Sequence, residues 1–453
     1  MTVAQPPARR RALTVGLFTA VVAVAFEAIS VATAMPAAAA ELDGLDLYAW
    51  AFSLFLIGQL MATVTAGRLC DRFGAARPMA AGLAVFALGL VVAASSVTMQ
   101  QLVLGRLLQG LGAGTVGVSL YVVIAMAYEE QRRPAMFSYV SAAWVVPSFV
   151  GPGVAAWLTH HLDWRAVFWA VLPVLAIGSA MMLPPVLRVA DRPAAPEPTT
   201  TPPAAIWAAV LAALGAAALQ LAGQRLSLVG LVVGTAGLVM VAVALPSLMP
   251  LGFFHFRPGL APVIVVRALL AGAFFGAETF VPLMLVEQRH LSLLVAGSSL
   301  TLGAVGWSIG AWVQSLRRLA VRRDLVILLG TVCVVLGIVL VTLVSWLELW
   351  WGVVGVAWTF AGLGMGLATS GTSLATMTLS SPGDQGRNAS SLQFGEAFGG
   401  GLFIGVGGTV FAALRPVDDL STTFTAVLAA MVVVGLLAVV AALRIGPIRP
   451  VAG

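Results

Sequence analysis

The sequence predicts an all-α integral membrane protein of about 14 transmembrane helices, forming two six-helix bundles with an inserted helix pair. Of its 453 residues, 60% are hydrophobic and 9% charged, and the mean hydropathy is +1.01. One aqueous core cannot bury so much apolar surface, so these segments must meet lipid. The apolar runs are about 20 residues long, enough for a hydrocarbon core of ~30 Å.

The apolar segments divide the chain into three predicted domains. These are an N-terminal six-helix bundle at 1–186, a linker and inserted hairpin at 187–258, and a C-terminal six-helix bundle at 259–453. The Pro-rich stretch 184–203 reads as a semi-extended surface linker. Twelve spans remain an alternative, because the seventh run is barely long enough to cross. The predicted spans are 13–36, 47–67, 79–97, 102–126, 136–158, 165–186, 204–222, 226–248, 259–286, 293–315, 325–346, 350–372, 388–412 and 421–443.

Arginine positions indicate the orientation of these spans. The chain has 24 basic residues, and none of them is lysine. With both termini in the cytoplasm, 18 arginines lie on the cytoplasmic side, two (Arg106 and Arg267) lie inside spans, and only Arg165, Arg225, Arg289 and Arg415 fall outside. Such an excess in cytoplasmic loops is typical of membrane proteins. We therefore expect a multi-pass protein of the cell membrane whose termini and linker are cytoplasmic.

A short internal repeat favours two related halves. Residues 130–135 (Glu-Gln-Arg-Arg-Pro-Ala) recur as 384–389 (Asp-Gln-Gly-Arg-Asn-Ala), each before the fifth span of its half. At the same offset of 254, Gly151 corresponds to Gly405. Parallel repeats of this kind build transporters in which two bundles rock about a central site.

The gap between spans two and three, residues 67–78, reads Gly-Arg-Leu-Cys-Asp-Arg-Phe-Gly-Ala-Ala-Arg-Pro and is predicted to be a short loop. It resembles the signature loop of the major facilitator superfamily, Gly-x-Leu-Ala-Asp-Arg-x-Gly-Arg-Arg. The resemblance implies a conformational latch, in which glycines let two helices turn and approach closely and the acid accepts bonds from helix-start amides. The residues that match the signature are Gly67, Leu69, Asp71, Arg72 and Gly74. Alanines replace the basic pair at its end, and Arg77 is the one basic residue that remains there.

Further motifs extend this resemblance. Span four carries Arg106, Gln109 and Gly110, similar to the buried Arg-x-x-Gln-Gly motif of the superfamily. In span one, Glu27 stands nine residues before Pro36, as the acid does in the Asp-x-Thr-Ile-Val-Asn-Val-Ala-Leu-Pro element of drug:proton antiporters. With the inserted pair, the chain is closest to the fourteen-span branch of these antiporters. Span five partly matches the antiporter element Gly-Pro-x-x-Gly-Gly through Pro147, Gly151, Pro152 and Gly153.

Three acids within predicted spans are candidates for proton coupling or substrate binding. Each costs at least ~2.5–3.5 kcal/mol to insert, so it needs a partner, a wet cavity or a proton. Glu27 lies about 21 Å along its helix, and Arg106 reaches a comparable depth. The resemblance implies that spans one and four both line the cavity of the first bundle, so the two residues can pair. Glu278 is expected to face the cavity, whereas Arg267, about 16 Å away, is expected to snorkel toward the cytoplasm. Glu396 lies among glycines that favour close packing.

These features predict a proton-coupled antiporter that exports hydrophobic or amphipathic small molecules, lipids among them, by alternating access. The alternatives are a metabolite facilitator or importer, and a non-transporting receptor on the same fold. The expected partners are the bilayer, protons and the substrate, with the chain acting as a monomer and binding no nucleic acid. No enzyme activity, cofactor or metal site is expected, because the two cysteines lie far apart and a chain without lysine has no P-loop.

Overall fold

The structure is a computed structural model that describes residues 7–128, 133–189, 206–223, 228–250, 252–315, 322–380, 385–415 and 419–448. This part of the chain is helical and contains no strand. Fourteen helices are long and apolar enough to cross a membrane, which confirms the predicted number, including the helices expected at 204–222 and 226–248. They are α1 (Pro7–Glu41), α2 (Tyr48–Phe73), α3 (Ala76–Ala94), α4 (Met99–Ala127), α5 (Arg133–His161), α6 (Arg165–Val189), α7 (Ile206–Gly223), α8 (Leu228–Leu248), α9 (Leu260–Glu287), α10 (Leu293–Ser315), α11 (Arg323–Trp346), α12 (Gly352–Leu379), α13 (Gln385–Leu414) and α14 (Leu420–Leu443).

The chain divides into two compact units. One comprises Met1–Leu47 with Leu54–Ala209, and the other comprises Tyr48–Ser53 with Val210–Gly453. In the first unit, α1 packs against α5 and α6, and α3 packs against α4 and α6. In the second, α9 packs against α13 and α14, and α11 packs against α12 and α14. Helices at corresponding positions thus pair in the same way in both units, as a parallel repeat of six helices requires.

The segment expected to be a loop at 67–78 is largely helical. Helix α2 continues to Phe73, the chain reverses at Gly74, and α3 begins at Ala76. The left-handed φ of 76° explains the glycine at position 74. Arg72 lies in the last turn of α2, where a cation complements the helix dipole, and its guanidinium is 5.1 Å from the ring centroid of Phe73. The predicted loop was therefore wrong in extent, because α2 extends two turns past its apolar run.

Three other positions of this motif, Gly67, Arg77 and Asp71, lie in different environments or outside the described side chains. No described atom lies within 4 Å of a Cβ built at Gly67, so this glycine does not permit the close helix approach expected of it. Arg77 is exposed in the first turn of α3. The side chain of Asp71 lies outside the described residues, and its role in a latch stays a prediction.

The inserted pair, α7 and α8, packs along α13. The side chain of Gln220 in α7 lies on Gly405 of α13, where a Cβ would come within 2.9 Å of Oε1. One turn further, Gly223 faces Thr409. Toward the other end of α13, the Ser391 hydroxyl donates to the carbonyl oxygen of Leu248, in the last turn of α8, at 2.8 Å. Both inserted helices therefore pack against α13, the helix that carries Glu396.

We expect single cysteines at positions 224 and 257 to react from opposite sides of the membrane. These positions flank α8, which spans if the inserted pair crosses the bilayer. The background is the Cys70→Ser, Cys333→Ser protein, so that the introduced cysteine is the one thiol that can react. Cys70 and Cys333 are the native cysteines, and both are buried. The measurement is labelling of intact and permeabilised cells with an impermeant maleimide, with a cysteine at position 449, which is expected to be cytoplasmic, as the reference. Labelling of 224 and 257 from the same side would contradict the crossing.

Candidate functional site

The first unit contains a buried ion pair between Glu27 of α1 and Arg106 of α4. Glu27 is 0% exposed and Arg106 2% exposed. Arg106 Nη1 pairs with Glu27 Oε1 and also donates to Gln109 Oε1 at 2.6 Å. The pairing expected from the depth of the two residues and from the family resemblance is therefore present. Gln109 is placed one turn after Arg106 on the same face of α4, so the motif Arg-x-x-Gln forms one polar cluster.

The cluster is only half satisfied. Glu27 Oε2 and Gln109 Nε2 are buried and have no hydrogen-bond partner among the described residues. Removing one partner of a buried ion pair is costly, and an unpaired buried oxygen also carries a desolvation penalty. A carboxylate with one oxygen bound to a cation and the other without a partner has a place to accept a proton.

An aromatic ring and a glycine complete this environment. The Arg106 guanidinium lies 4.4 Å from the ring centroid of Phe55 in α2, within cation–π range. Gly110, the last residue of the Arg-x-x-Gln-Gly motif, packs against the backbone of Phe55, whose carbonyl carbon would be 2.8 Å from a Cβ at position 110. Glycine is thus needed at 110 so that α2 can approach α4 and place Phe55 against Arg106.

We expect Gly110→Ala to destabilise the protein by about 1–3 kcal/mol, as overpacking does elsewhere. The matched control is Gly117→Ala, seven residues later in α4, where no described atom lies within 4 Å of the added Cβ. The measurement is the thermal unfolding midpoint of each purified variant in the same detergent. Equal midpoints for the two alanine variants would contradict the close approach at Phe55.

In the second unit, Glu278 of α9 lies beside an aromatic cluster. Its carboxyl faces the indole N–H of Trp358. This N–H is buried and makes no hydrogen bond of normal geometry with the described residues. Trp358 stacks on Phe274 at 5.1 Å between centroids, and Phe274 meets Trp307 edge to face at 5.7 Å. Glu278 is half-buried and forms no ion pair in the part of the chain that the structure describes. A carboxyl beside aromatic rings suits an amphipathic ligand or a proton.

Glu396 of α13 forms an ion pair with Arg267 of α9, a contact that the sequence did not predict. Arg267 is only 6% exposed, so the expectation that it snorkels to the cytoplasm is wrong. Its Nε lies 3.4 Å from Glu396 Oε2, and its Nη2 donates to Ser373 Oγ at 2.8 Å. The contact exists because α13 approaches α9 closely at Gly399, where a Cβ would collide with the backbone of Ala268. An acid and a cation that are distant in sequence thus neutralise one another inside the second unit.

The span-five motif contributes packing against the site helix. Gly151 of α5 faces α1, with a Cβ position 3.1 Å from Ser30 Oγ, one turn beyond Glu27. Pro147 and Pro152 are buried within α5, whereas Gly153 has no described atom within 4 Å of a Cβ. Of this motif, Gly151 is the residue that brings α5 close to the Glu27 region.

Sequence reasoning did not find three residues of these clusters. Phe55 and Ser373 were not singled out, and Arg267 was assigned to the wrong environment. Their contacts join helices that are distant in the chain, and a single sequence carries no signal of such a contact. The glycines at 110 and 399 were the available hint, because they mark where helices approach closely.

Comparison with known proteins identifies the family. A profile of the Major Facilitator Superfamily matches residues 16–404. The chain belongs to the Major Facilitator Superfamily. It is 30% identical over 288 residues to a probable multidrug-efflux transporter of Mycobacterium tuberculosis, which covers 61% of this chain and 60% of that protein. It is 29% identical over 298 residues, 64% of this chain, to an uncharacterized MFS-type transporter of the same organism.

The chain spans only 43% to 60% of the length of these two relatives. Among solved structures, it is similar to a POT family transporter in complex with 5-aminolevulinic acid, with a TM-score of 0.69 and 12% identity over 97% of both chains. At that identity the likeness concerns the fold alone. The protein is thus a multi-pass membrane protein of a transporter family rather than a member of an enzyme family.

Proposed function

We propose that this protein is a proton-coupled antiporter that exports hydrophobic or amphipathic small molecules, with lipids among the candidate substrates. The observation that carries the proposal is the buried Glu27 carboxylate, held by Arg106 through one oxygen while the other oxygen has no partner among the described residues. Buried ionisable residues in membrane spans occur in proton relays and substrate pathways.

The pair gives Glu27 two stable conditions. Ionised Glu27 is neutralised by Arg106, so the pair carries no net charge inside the unit. When Glu27 takes a proton, its attraction to the guanidinium falls, and Arg106 keeps the hydrogen bond to Gln109 and the Phe55 ring. A proton thus alters the relative free energies of conformations that differ at this pair, which is what coupling to alternating access needs.

Export of amphipathic compounds has its own support. One relative carries the name probable multidrug-efflux transporter. In this chain, Glu278 lies beside the rings of Trp358, Phe274 and Trp307, a combination of apolar surface and one carboxyl that suits amphipathic ligands. We place the protein in the cell membrane with both termini cytoplasmic, in keeping with the arginine asymmetry, and we expect it to act as a monomer.

The test is counterflow in proteoliposomes that contain an internal pH dye. A panel of cationic, neutral and anionic amphiphiles is offered with and without a proton gradient. The proposal predicts uphill accumulation of at least one compound class only with the gradient, together with proton movement in the opposite direction. Transport of compounds without any proton movement would contradict the antiport, and proton movement in the same direction would indicate an importer.

A further inference from the structure

Two hydroxyl groups on α1 lack the bond that buried helical hydroxyls normally make. Ser30 and Thr33 are 0% and 1% exposed, and neither hydroxyl has a partner among the described residues. Other buried helical hydroxyls donate to the carbonyl four residues earlier, for example Thr331 to Ile327 and Thr372 to Ala368, each at 2.8 Å. Unbonded hydroxyls are costly in an apolar surrounding, so these two require another partner.

The two hydroxyls continue a line that starts at Glu27. Residues three apart on a helix differ by about 4.5 Å in height and about 60° in direction. Glu27, Ser30 and Thr33 therefore follow a shallow spiral on one side of α1, about 9 Å long. Three orphan oxygens lie on it: Glu27 Oε2, Ser30 Oγ and Thr33 Oγ1.

The backbone next to Thr33 adds a further acceptor. Pro36 lies inside α1 and has no amide hydrogen, so the carbonyl oxygen of Ala32 has no helical donor. Beside the middle of the line, α5 approaches Ser30 at Gly151, and the missing side chain of this glycine leaves the hydroxyl uncovered, since a Cβ there would lie only 3.1 Å from the hydroxyl oxygen. The unbonded groups thus extend from Glu27 toward the Glu41 end of α1.

We infer that this line, Glu27–Ser30–Thr33, is a site for internal water molecules that carry protons between Glu27 and the Glu41 end of α1. A buried water needs two to four polar partners, and about three waters at ~2.8 Å spacing cover the length of the line. The inference rests on the proposed proton coupling of Glu27 and adds the route by which the proton arrives.

The proton transfer balances without any co-reactant. A hydronium at the Thr33 end donates a proton to the next water, and each oxygen along the line accepts one proton and releases another. The last water donates to Glu27 Oε2, where an O–H bond forms as the O–H bond of that water breaks. The carboxylate becomes a neutral carboxyl, one proton has entered, and Ser30 and Thr33 finish in the state in which they began.

Few ionisable groups surround the line. Arg106 of α4 is the charged residue that contacts Glu27. Tyr128, which directly follows α4, also lies against α1, where its hydroxyl bonds Thr14 far from the line. The helices with the most extensive packing against α1 are α5 and α6, and their ionisable residues lie toward the helix ends: Arg133, Tyr139, His160 and His161 in α5, and Arg165 and Arg188 in α6. Between these ends the sequence of α5 and α6 offers no ionisable side chain, and its hydroxyl groups are those of Ser138, Ser141, Ser148, Thr159 and Ser179.

The experiment follows the protonation of Glu27 itself, so no substrate is needed. The full-length protein in liposomes is subjected to an acid jump, and infrared spectroscopy records the carbonyl band of protonated Glu27, assigned by its absence in Glu27→Gln. We expect the band to grow about tenfold more slowly in Thr33→Val and in the Ser30→Ala, Thr33→Val double variant. Its final amplitude at each pH should be unchanged, which separates a lost route from altered Glu27 chemistry.

Two control variants, Thr33→Ser and Thr115→Val, show whether a slower rate is specific to the hydroxyls of the line. Thr33→Ser retains a hydroxyl and should keep the wild-type rate. Thr115→Val removes a hydroxyl that already donates to the Leu111 carbonyl at 2.9 Å, and it should leave the rate unchanged as well. A wild-type rate in the Ser30→Ala, Thr33→Val protein would overturn the route while leaving the coupling role of Glu27 intact. A wild-type protein with no Glu27 band at any pH would instead overturn the proposed function.

Discussion

Glu27→Gln should abolish proton-driven uphill export while leaving downhill exchange of the same compound in place. Glutamine has the shape of a protonated glutamate and does not ionise, so it fixes position 27 in one of its two conditions. Arg106 can still bond an amide oxygen at 27 and the Gln109 oxygen, to which it donates at 2.6 Å, so the helices α1 and α4 remain joined. We expect at least a tenfold loss of uphill flux, because a transporter that cannot exchange the proton cannot use the gradient.

The measurement compares uphill and downhill flux in the same proteoliposome preparation. Glu348→Gln is the matched control, since Glu348 is exposed and lies between α11 and α12. The control should retain both fluxes. Normal uphill export in Glu27→Gln, with an unchanged number of protons per molecule exported, would contradict the coupling role of Glu27. Glu278 and Glu396 would then be the remaining candidates for proton coupling.

Helix positions were predictable because each depends on a local property of the chain. An apolar run of about 20 residues specifies a span whatever its neighbours are, and α10 begins and ends where the run 293–315 does. The ends of other helices were less predictable. Helix α2 continues through Asp71 to Phe73, since a polar helix that has left the hydrocarbon keeps its internal hydrogen bonds until Gly74 reverses the chain.

The candidate site was predictable only where depth and the family resemblance together indicate a contact. Glu27 and Arg106 were expected at similar depths, the resemblance implied that their spans line one cavity, and an unpaired charge there is costly. Arg267 was different, because its position near one end of α9 allows either snorkelling or burial. Arg267 is buried because α13 approaches α9 at Gly399 and brings Glu396 to the guanidinium.

The packing of the inserted pair also lay beyond what the sequence alone could predict. The runs 204–222 and 226–248 indicate two helices and say nothing of what they contact. In the structure, Gln220 fits on Gly405 and Ser391 bonds the Leu248 carbonyl, so the pair packs along α13. The correspondence of Gly151 with Gly405 does not extend to their contacts, because Gly151 faces α1 and Gly405 faces α7.

Arg106→Gln is expected to impair folding as well as transport, and a second substitution should separate the two effects. Without the guanidinium, ionised Glu27 is left at 0% exposure with no cation, a change that costs about 3–5 kcal/mol in other buried pairs. The purified variant should therefore unfold at a markedly lower temperature than wild type. Arg188→Gln, at the exposed end of α6, is the matched control and should unfold like wild type.

The Glu27→Gln, Arg106→Gln double variant should recover most of the lost stability, because two amides at these positions leave no buried charge. It should not recover uphill export, because neither residue then exchanges a proton or responds to one. The four proteins form a double-mutant cycle, read once by thermal unfolding and once by proton-driven flux. Strong coupling in stability combined with equal loss of flux in all three variants is the expected pattern. Additive stability effects would show that Glu27 and Arg106 do not depend on each other, and restored export in the double variant would remove both residues from the proton pathway.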